Sequence, residues 1–435
     1  VTSIEVRREA LAVLALCTAL NVLSRGIGES FAVFLLPVVA EFDADRAALT
    51  GVYSTAVLFA GLAAPFVGVA VDRLGPRRCY LAGLLLFGGA YVLAGRVTAL
   101  WQLYALLGVL APAGASLVGM VPASTLISRW FGPRLPTAMA VLSAALGVGM
   151  LAFAPLAQAL IDAHGWRQAY QLLGLALLVL LAPVALLPWK RIAGGSEEVV
   201  EAMRRRGAGQ AAWTVPRALR TPIFWALAGM MFSTAVSTYA VSVQLVACLV
   251  EAGFSPLVAA WTFGLAGMLS IFGMMGAATL AERIGERLTA TIAYSLTLIG
   301  LAMLALAMLY PSAWLVAGYV LAFGGAQGSR GPLAAVLAAR GFPGAMGRVY
   351  GMVLLAAGAG SALGAWASGA LYDLTGGYHA ALGLSALGAF GGLALFWTVP
   401  ALGGDRATAG GQPVGAATGA ASSSRGPAAS PDSSP

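Results

Sequence analysis

Apolar stretches of about 20 or more residues recur through almost the whole sequence, each long enough to cross roughly 30 Å of hydrocarbon as a helix. In lipid every backbone amide and carbonyl must find its partner within the chain, which leaves helices or closed barrels. These runs are too long and too uniformly apolar for the alternating strands of a barrel. The expected fold class is therefore an all-α polytopic membrane protein. Composition agrees, with 60% hydrophobic and only 10% charged residues in 435.

Twelve spans are expected, at 10–40, 47–71, 79–96, 99–127, 136–162 and 166–188, then 222–250, 256–281, 288–309, 313–339, 346–372 and 378–400. They divide the chain into a six-helix bundle over 1–188, a polar linker over 189–221, a second six-helix bundle over 222–402 and a tail over 403–435. The tail is Gly-, Ala-, Ser- and Pro-rich, cannot build a core and is predicted disordered. The charged N-terminus followed by an apolar run superficially resembles a signal peptide. It lacks a convincing small-residue cleavage site, so a retained first span is expected.

A net charge of +8 invites a nucleic-acid reading, but the placement of the charge argues against it. Of the 25 lysines and arginines, Arg46, Arg96 and Arg167 fall in loops on one side, Arg25 and Arg330 fall within spans, and the rest fall on the other side. That bias sets both termini in the cytoplasm of a bacterial inner membrane, with the lipid bilayer as partner and no nucleic acid. Cys17, Cys79 and Cys248 are scattered without metal-ligand spacing and read as packing residues. There is no phosphate-binding loop, zinc spacing or nucleophile elbow, so neither catalytic residues, a metal nor a cofactor is expected, and the chain does not read as an enzyme.

Asn21, Arg25 and Glu29 stand four apart on one face of the first span. A charge near the bilayer centre costs at least about 2.5 kcal/mol, so these residues read as a substrate-binding or coupling face on an aqueous cavity. Glu29 is either a proton-coupling carboxylate or half of a static pair with Arg25. Arg330, in the Gly-rich tenth span beside Pro332, is an anion ligand, a partner for Glu29, or an arginine snorkelling to the interface. The seventh span, with Ser233, Ser237, Thr238, Tyr239, Ser242 and Gln244, either lines the cavity, with Tyr239 and Gln244 as candidate ligands, or bonds its neighbours.

An internal repeat appears at an offset of about 210 residues. Asp72-Arg73-Leu74-Gly75-Pro76-Arg77 matches Glu282-Arg283-Ile284-Gly285-Glu286-Arg287. Arg129 matches Arg340, Gly147 and Gly149 match Gly358 and Gly360, and Ala159-Leu160-Ile161-Asp162 matches Ala370-Leu371-Tyr372-Asp373. Six spans per copy give both copies the same topology, the parallel repeat of a two-bundle transporter with a midplane site. These four glycines are expected to allow close helix packing.

The loop Gly68-x-x-x-Asp72-Arg73-x-Gly75-x-Arg77-Arg78 resembles the signature loop of the major facilitator superfamily, with a weaker copy at Glu282, Arg283 and Arg287. The resemblance implies a cytoplasmic gate in an alternating-access cycle; the plainer alternative is an ordinary positive-inside loop. Gly26-x-Gly28-x-Ser30-Phe31-x-Val33-Phe34, Arg129-Trp130-Phe131-Gly132, Asp162-x-x-Gly165-Trp166-Arg167 and Gly328-x-Arg330-Gly331-Pro332 are similar to the monocarboxylate porter and oxalate/formate antiporter branch. Members of that branch often carry a basic residue in the eighth span, and some a lysine in the eleventh. This chain has neither, so the cations on offer to an anion are Arg25 and Arg330. The resemblance implies a secondary transporter of a small organic solute, with a carboxylate as the leading class, protons as a coupling ion and function as a monomer. The alternatives are efflux of an amphipathic compound and a membrane sensor that binds solute without moving it.

Overall fold

The first apolar run folds as two helices, Ser3–Glu29 and Phe31–Phe42, joined at Ser30. There the Ser30 hydroxyl donates to the Ile27 carbonyl at 2.7 Å. The computed structural model describes residues 3–132, 134–196, 199, 201, 215–342, 346–399 and 402, and the regular elements among them are all helical. The expected disordered tail and about half of the linker, including Arg204, Arg205 and Arg206, lie outside the described residues.

Among the described residues nine helices are long and apolar enough to cross a membrane, against the twelve spans expected. The difference has three local causes. Leu135–Val179 runs on as one element, yet Gly165 turns the chain inside it at φ 81°, a left-handed conformation that glycine adopts without penalty. Pro76–Ala94 carries Arg77 and Arg78 within its 19 residues. The run from Ala313 to Gly341 is broken, with a π-helical turn at Val320–Gly324 and a gap at Gly328 and Ser329 before the helix Arg330–Gly341 resumes. The break precedes Pro332, whose missing N–H falls in the first turn of the new helix where it costs nothing. A second π-helical turn, Tyr104–Leu110, interrupts the corresponding run of the first half.

The backbone follows the repeat. Arg46–Leu74 ends at Gly75 with φ 78° and ψ 160°, and Pro256–Ile284 ends at Gly285 with φ 85° and ψ 161°. Other motifs turn out to be fasteners. Arg129 donates to the Ala193 carbonyl at 3.0 Å and Trp130 to the Ile192 carbonyl at 2.9 Å, docking the short helix Trp189–Gly194. Trp166 and Arg167 both donate to Glu41, and Arg167 also reaches the Val97 carbonyl at 2.6 Å. Arg340 pairs with buried Glu286, where the first half has Pro76, so Arg129 takes a carbonyl instead.

Close packing at the glycines is observed at three of the four. A Cβ on Gly149 would lie 2.6 Å from the Val22 carbonyl, and one on Gly147 would lie 2.5 Å from that of Gly267 in the other half. Gly360 presses on Phe232, whereas Gly358 faces open space.

Candidate functional site

A polar cluster joins the two halves of the chain where the helix Arg46–Leu74 begins. A helix start leaves backbone N–H groups without partners and carries a partial positive charge. Here the Arg46 and Ala47 amides donate to the two oxygens of Asp373 at 3.0 and 2.7 Å. The Arg46 side chain, 7% exposed, donates to Gln244 Oε1 at 3.3 Å, to the Tyr378 hydroxyl and to Glu251. Its guanidinium lies 3.7 Å from the centre of the Tyr372 ring, and the Tyr372 hydroxyl donates to Glu251 Oε2 at 3.0 Å. Burial pushes the Tyr378 phenol up, although Arg46 pulls it the other way, so it accepts from Arg46 as a neutral group at ordinary pH. About two turns deeper, the Ser54 hydroxyl donates to the Ala362 carbonyl at 2.8 Å. These contacts clamp one end of the molecule shut.

At the other end of the same helix, about 42 Å away by helical rise, no such clamp is seen among the described residues. Asp72, Arg73, Arg78, Glu282 and Arg283 are exposed, Gly68 faces open space, and Gly75 makes the turn described above. Arg77 donates to the Ala185 carbonyl at 3.1 Å and Arg287 to that of Phe396 at 3.1 Å, each within its own half. The second half keeps a separate core here, built around Phe224, Tyr294, Leu337 and Phe396. At the clamped end one core includes residues of both halves, among them Phe34, Val52, Leu245 and Phe263.

Between the two ends sit the mid-span polar residues. Tyr53 donates to Glu29 Oε2 at 2.7 Å. The Tyr239 ring of the second half lies 6.0 Å from that of Tyr53. Arg25 is exposed although it stands mid-helix between buried Ser24 and Gly26. Among the described residues it makes no hydrogen bond or ion pair. Glu29 also lines a cavity of about 120 Å³ inside the first half.

The structure thus brings Arg25, Glu29 and Tyr239 together and adds Tyr53, which sequence reasoning passed over. Asn21 is buried, and its side-chain amide donates to the Cys17 carbonyl at 3.0 Å. Gln244 belongs to the clamp. Arg330 is buried within the second half, where it donates to Thr297 and lies 4.6 Å over the Tyr294 ring. It is paired neither with Glu29 nor with the membrane surface, and Glu29 is bonded to Tyr53 rather than locked to Arg25. The clamp itself was missed because Arg46 read as an ordinary loop charge. Its one available signal was the repeat, which placed Asp373 at a span end opposite Asp162.

The model of the Major Facilitator Superfamily matches residues 14–365. The chain belongs to that superfamily. Among curated proteins, monocarboxylate transporter 13 of Bos taurus is 28% identical over 386 residues, covering 86% of this chain and 85% of its own length. The oxalate:formate antiporter of Oxalobacter formigenes is 30% identical over 234 residues, covering 51% and 50%. Among solved structures, a bacterial homologue of the human lysosomal transporter Spinster, in an inward-facing and occupied conformation, aligns with a TM-score of 0.63. It is 16% identical and is covered over 95% of its length by 90% of this chain. The protein is a multi-pass membrane transporter of this superfamily, whose members carry solutes rather than transform them.

Proposed function

We propose that this transporter moves a small organic anion, a carboxylate, across a bacterial inner membrane by alternating access. The observation that carries the reading is Arg25: an exposed cation in mid-span, without a bonded partner among the described residues, one helical turn from the Glu29 that Tyr53 bonds. An uncompensated charge at that depth persists where its solute supplies the counter-charge. Arg330, the other mid-span cation, is spent on Thr297 and Tyr294. The relatives named for monocarboxylates and for oxalate and formate support the same class.

The reading takes twelve spans in two six-helix bundles, over 1–188 and 222–402, with both termini cytoplasmic and the monomer as working unit. The clamped end then faces outward and the signature loops face the cytoplasm, so the conformation is inward-open. Closing the cytoplasmic end brings Asp72, Arg73, Arg78, Glu282 and Arg283 into contact across the halves, which is the gate role. Glu29 is the proton site: protonation removes a negative charge beside the solute and weakens the pull on Tyr53.

Purified protein in liposomes tests the reading through counterflow of radiolabelled monocarboxylates. Replacing Arg25 by alanine is expected to lower flux by about 100-fold, with lysine retaining part of it, in line with the loss of a charged hydrogen-bonding partner. Arg25→Ala flux equal to wild type overturns the anion site.

A further inference from the structure

The cavity beside Glu29 holds about 120 Å³, is half open and is lined by helices of the first half. Its walls are Phe31, Val57, Phe87, Leu107, Ala111 and Ala115, and its polar lip is Glu29 with Tyr53. The two phenols that line it are already committed: Tyr53 donates to Glu29, and Tyr91 donates to the Ile27 carbonyl at 3.0 Å. The walls therefore offer hydrocarbon and ring faces rather than donors. Apolar cavities of about 150 Å³ take a benzene-sized guest, so this one, mostly apolar in its lining, suits a branched aliphatic group or a single ring.

We propose that this cavity receives the apolar group of the transported carboxylate while Arg25 holds its charged head. Arg25 and Glu29 lie one turn apart on the helix Ser3–Glu29, which sets their Cβ atoms about 6 Å apart and fits a spacer of one or two carbons between head and group. The cargo is then an arylacetate or a branched-chain monocarboxylate rather than a two- or three-carbon acid. A second carboxylate on the cargo meets Glu29 at the lip, so dicarboxylates are rejected by like charge. The inference rests on the carboxylate reading above and narrows it.

Binding to the full chain in lipid nanodiscs at pH 7.5 tests it, with labelled phenylacetate as probe and acetate, butanoate, 3-methylbutanoate, phenylacetate and succinate as competitors. Competition is expected to strengthen by about fourfold for each buried methylene until the cavity fills, with succinate weakest. Ala56→Phe, which projects a ring into the cavity from the helix Arg46–Leu74, is expected to reduce the preference for phenylacetate over acetate by about tenfold. A wild type that binds acetate as tightly as phenylacetate overturns the cavity's role while leaving the carboxylate reading standing. Ala56→Phe with an unchanged preference does the same. Failure of every carboxylate to bind removes both. The wild-type series decides the matter even if the variant does not fold.

Discussion

Arg46→Ala separates the clamp from mere surface decoration. The arginine gives up three charge-assisted hydrogen bonds, to Gln244, Tyr378 and Glu251, and its stacking over Tyr372. Hydrogen bonds to charged groups contribute about 1.5–3 kcal/mol each when buried. Glu251 is 37% exposed, so its share is discounted toward that of a surface pair, about 1 kcal/mol. In the released state Arg46 is rehydrated and recovers much of the remainder. A net loss of about 3 kcal/mol is a reasonable figure, and it shifts the balance between closed and open forms by about 150-fold. The reporter is Ser54→Cys, an isosteric change at a position buried between the halves, placed in a background lacking Cys17, Cys79 and Cys248. Its alkylation by an impermeant maleimide, added on the side that carries Arg46, is expected to accelerate by about 100-fold in the Arg46→Ala protein. Arg167→Ala breaks the neighbouring Glu41 cluster within the first half and is expected to leave the rate alone. Acceleration of less than about threefold, or an equal effect of Arg167→Ala, refutes the clamp as the element holding this end shut.

Glu29→Gln keeps an acceptor for Tyr53 but cannot lose a proton, so carboxylate flux is expected to persist while its response to an imposed pH gradient disappears; a retained response removes Glu29 from the coupling. Gly149→Ala places a methyl 2.6 Å from the Val22 carbonyl, and the helices Ser3–Glu29 and Leu135–Val179 must separate. A loss of about 1–3 kcal/mol is expected, read as a lower melting temperature in detergent. Tyr378 is raised above its ordinary range, so the folded form binds its proton more tightly than the unfolded form. Its contribution is fully present below about pH 10 and is lost as pH rises beyond it. The melting-temperature gap between wild type and Tyr378→Phe is therefore expected to be flat through neutral pH and to shrink in alkali.

Helical membrane architecture was legible in the sequence because hydrophobic length is a one-dimensional property. The repeat was legible because Gly75 and Gly285 make the same turn, and a left-handed turn restricts residue choice. The meeting of Arg25, Glu29 and Tyr239 was partly legible, since charges in an apolar run announce themselves. Arg330 was misjudged because its neutral partners Thr297 and Tyr294 are unremarkable in sequence, and a cation–π contact needs only a ring nearby. The pairing that makes the clamp was hidden for a different reason. Arg46 and Asp373 lie 327 positions apart, both are ordinary at a span end, and their pairing exists only once the halves dock.

The repeat places Asp162 where the second half has Asp373, and the start of Pro256–Ile284 where the first half has the start of Arg46–Leu74. Two equivalent latches were therefore available, yet the structure closes one. Asp162 takes the side-chain amide of Gln158 at 2.7 Å, and Ser255 accepts from Val258 N–H at 3.4 Å, capping its own helix. Where the pair Leu135–Val179 and Pro256–Ile284 touch in mid-span, Gly147 lies against Gly267, a contact of small residues without a polar latch. Small residues allow backbones to roll over one another at little cost, whereas the Arg46 cluster must exchange charged hydrogen bonds for water before it opens. The asymmetry is therefore one of contact chemistry: a charged hydrogen-bonded cluster at Arg46 joins one helix pair across the halves, and small residues at Gly147 and Gly267 join the other.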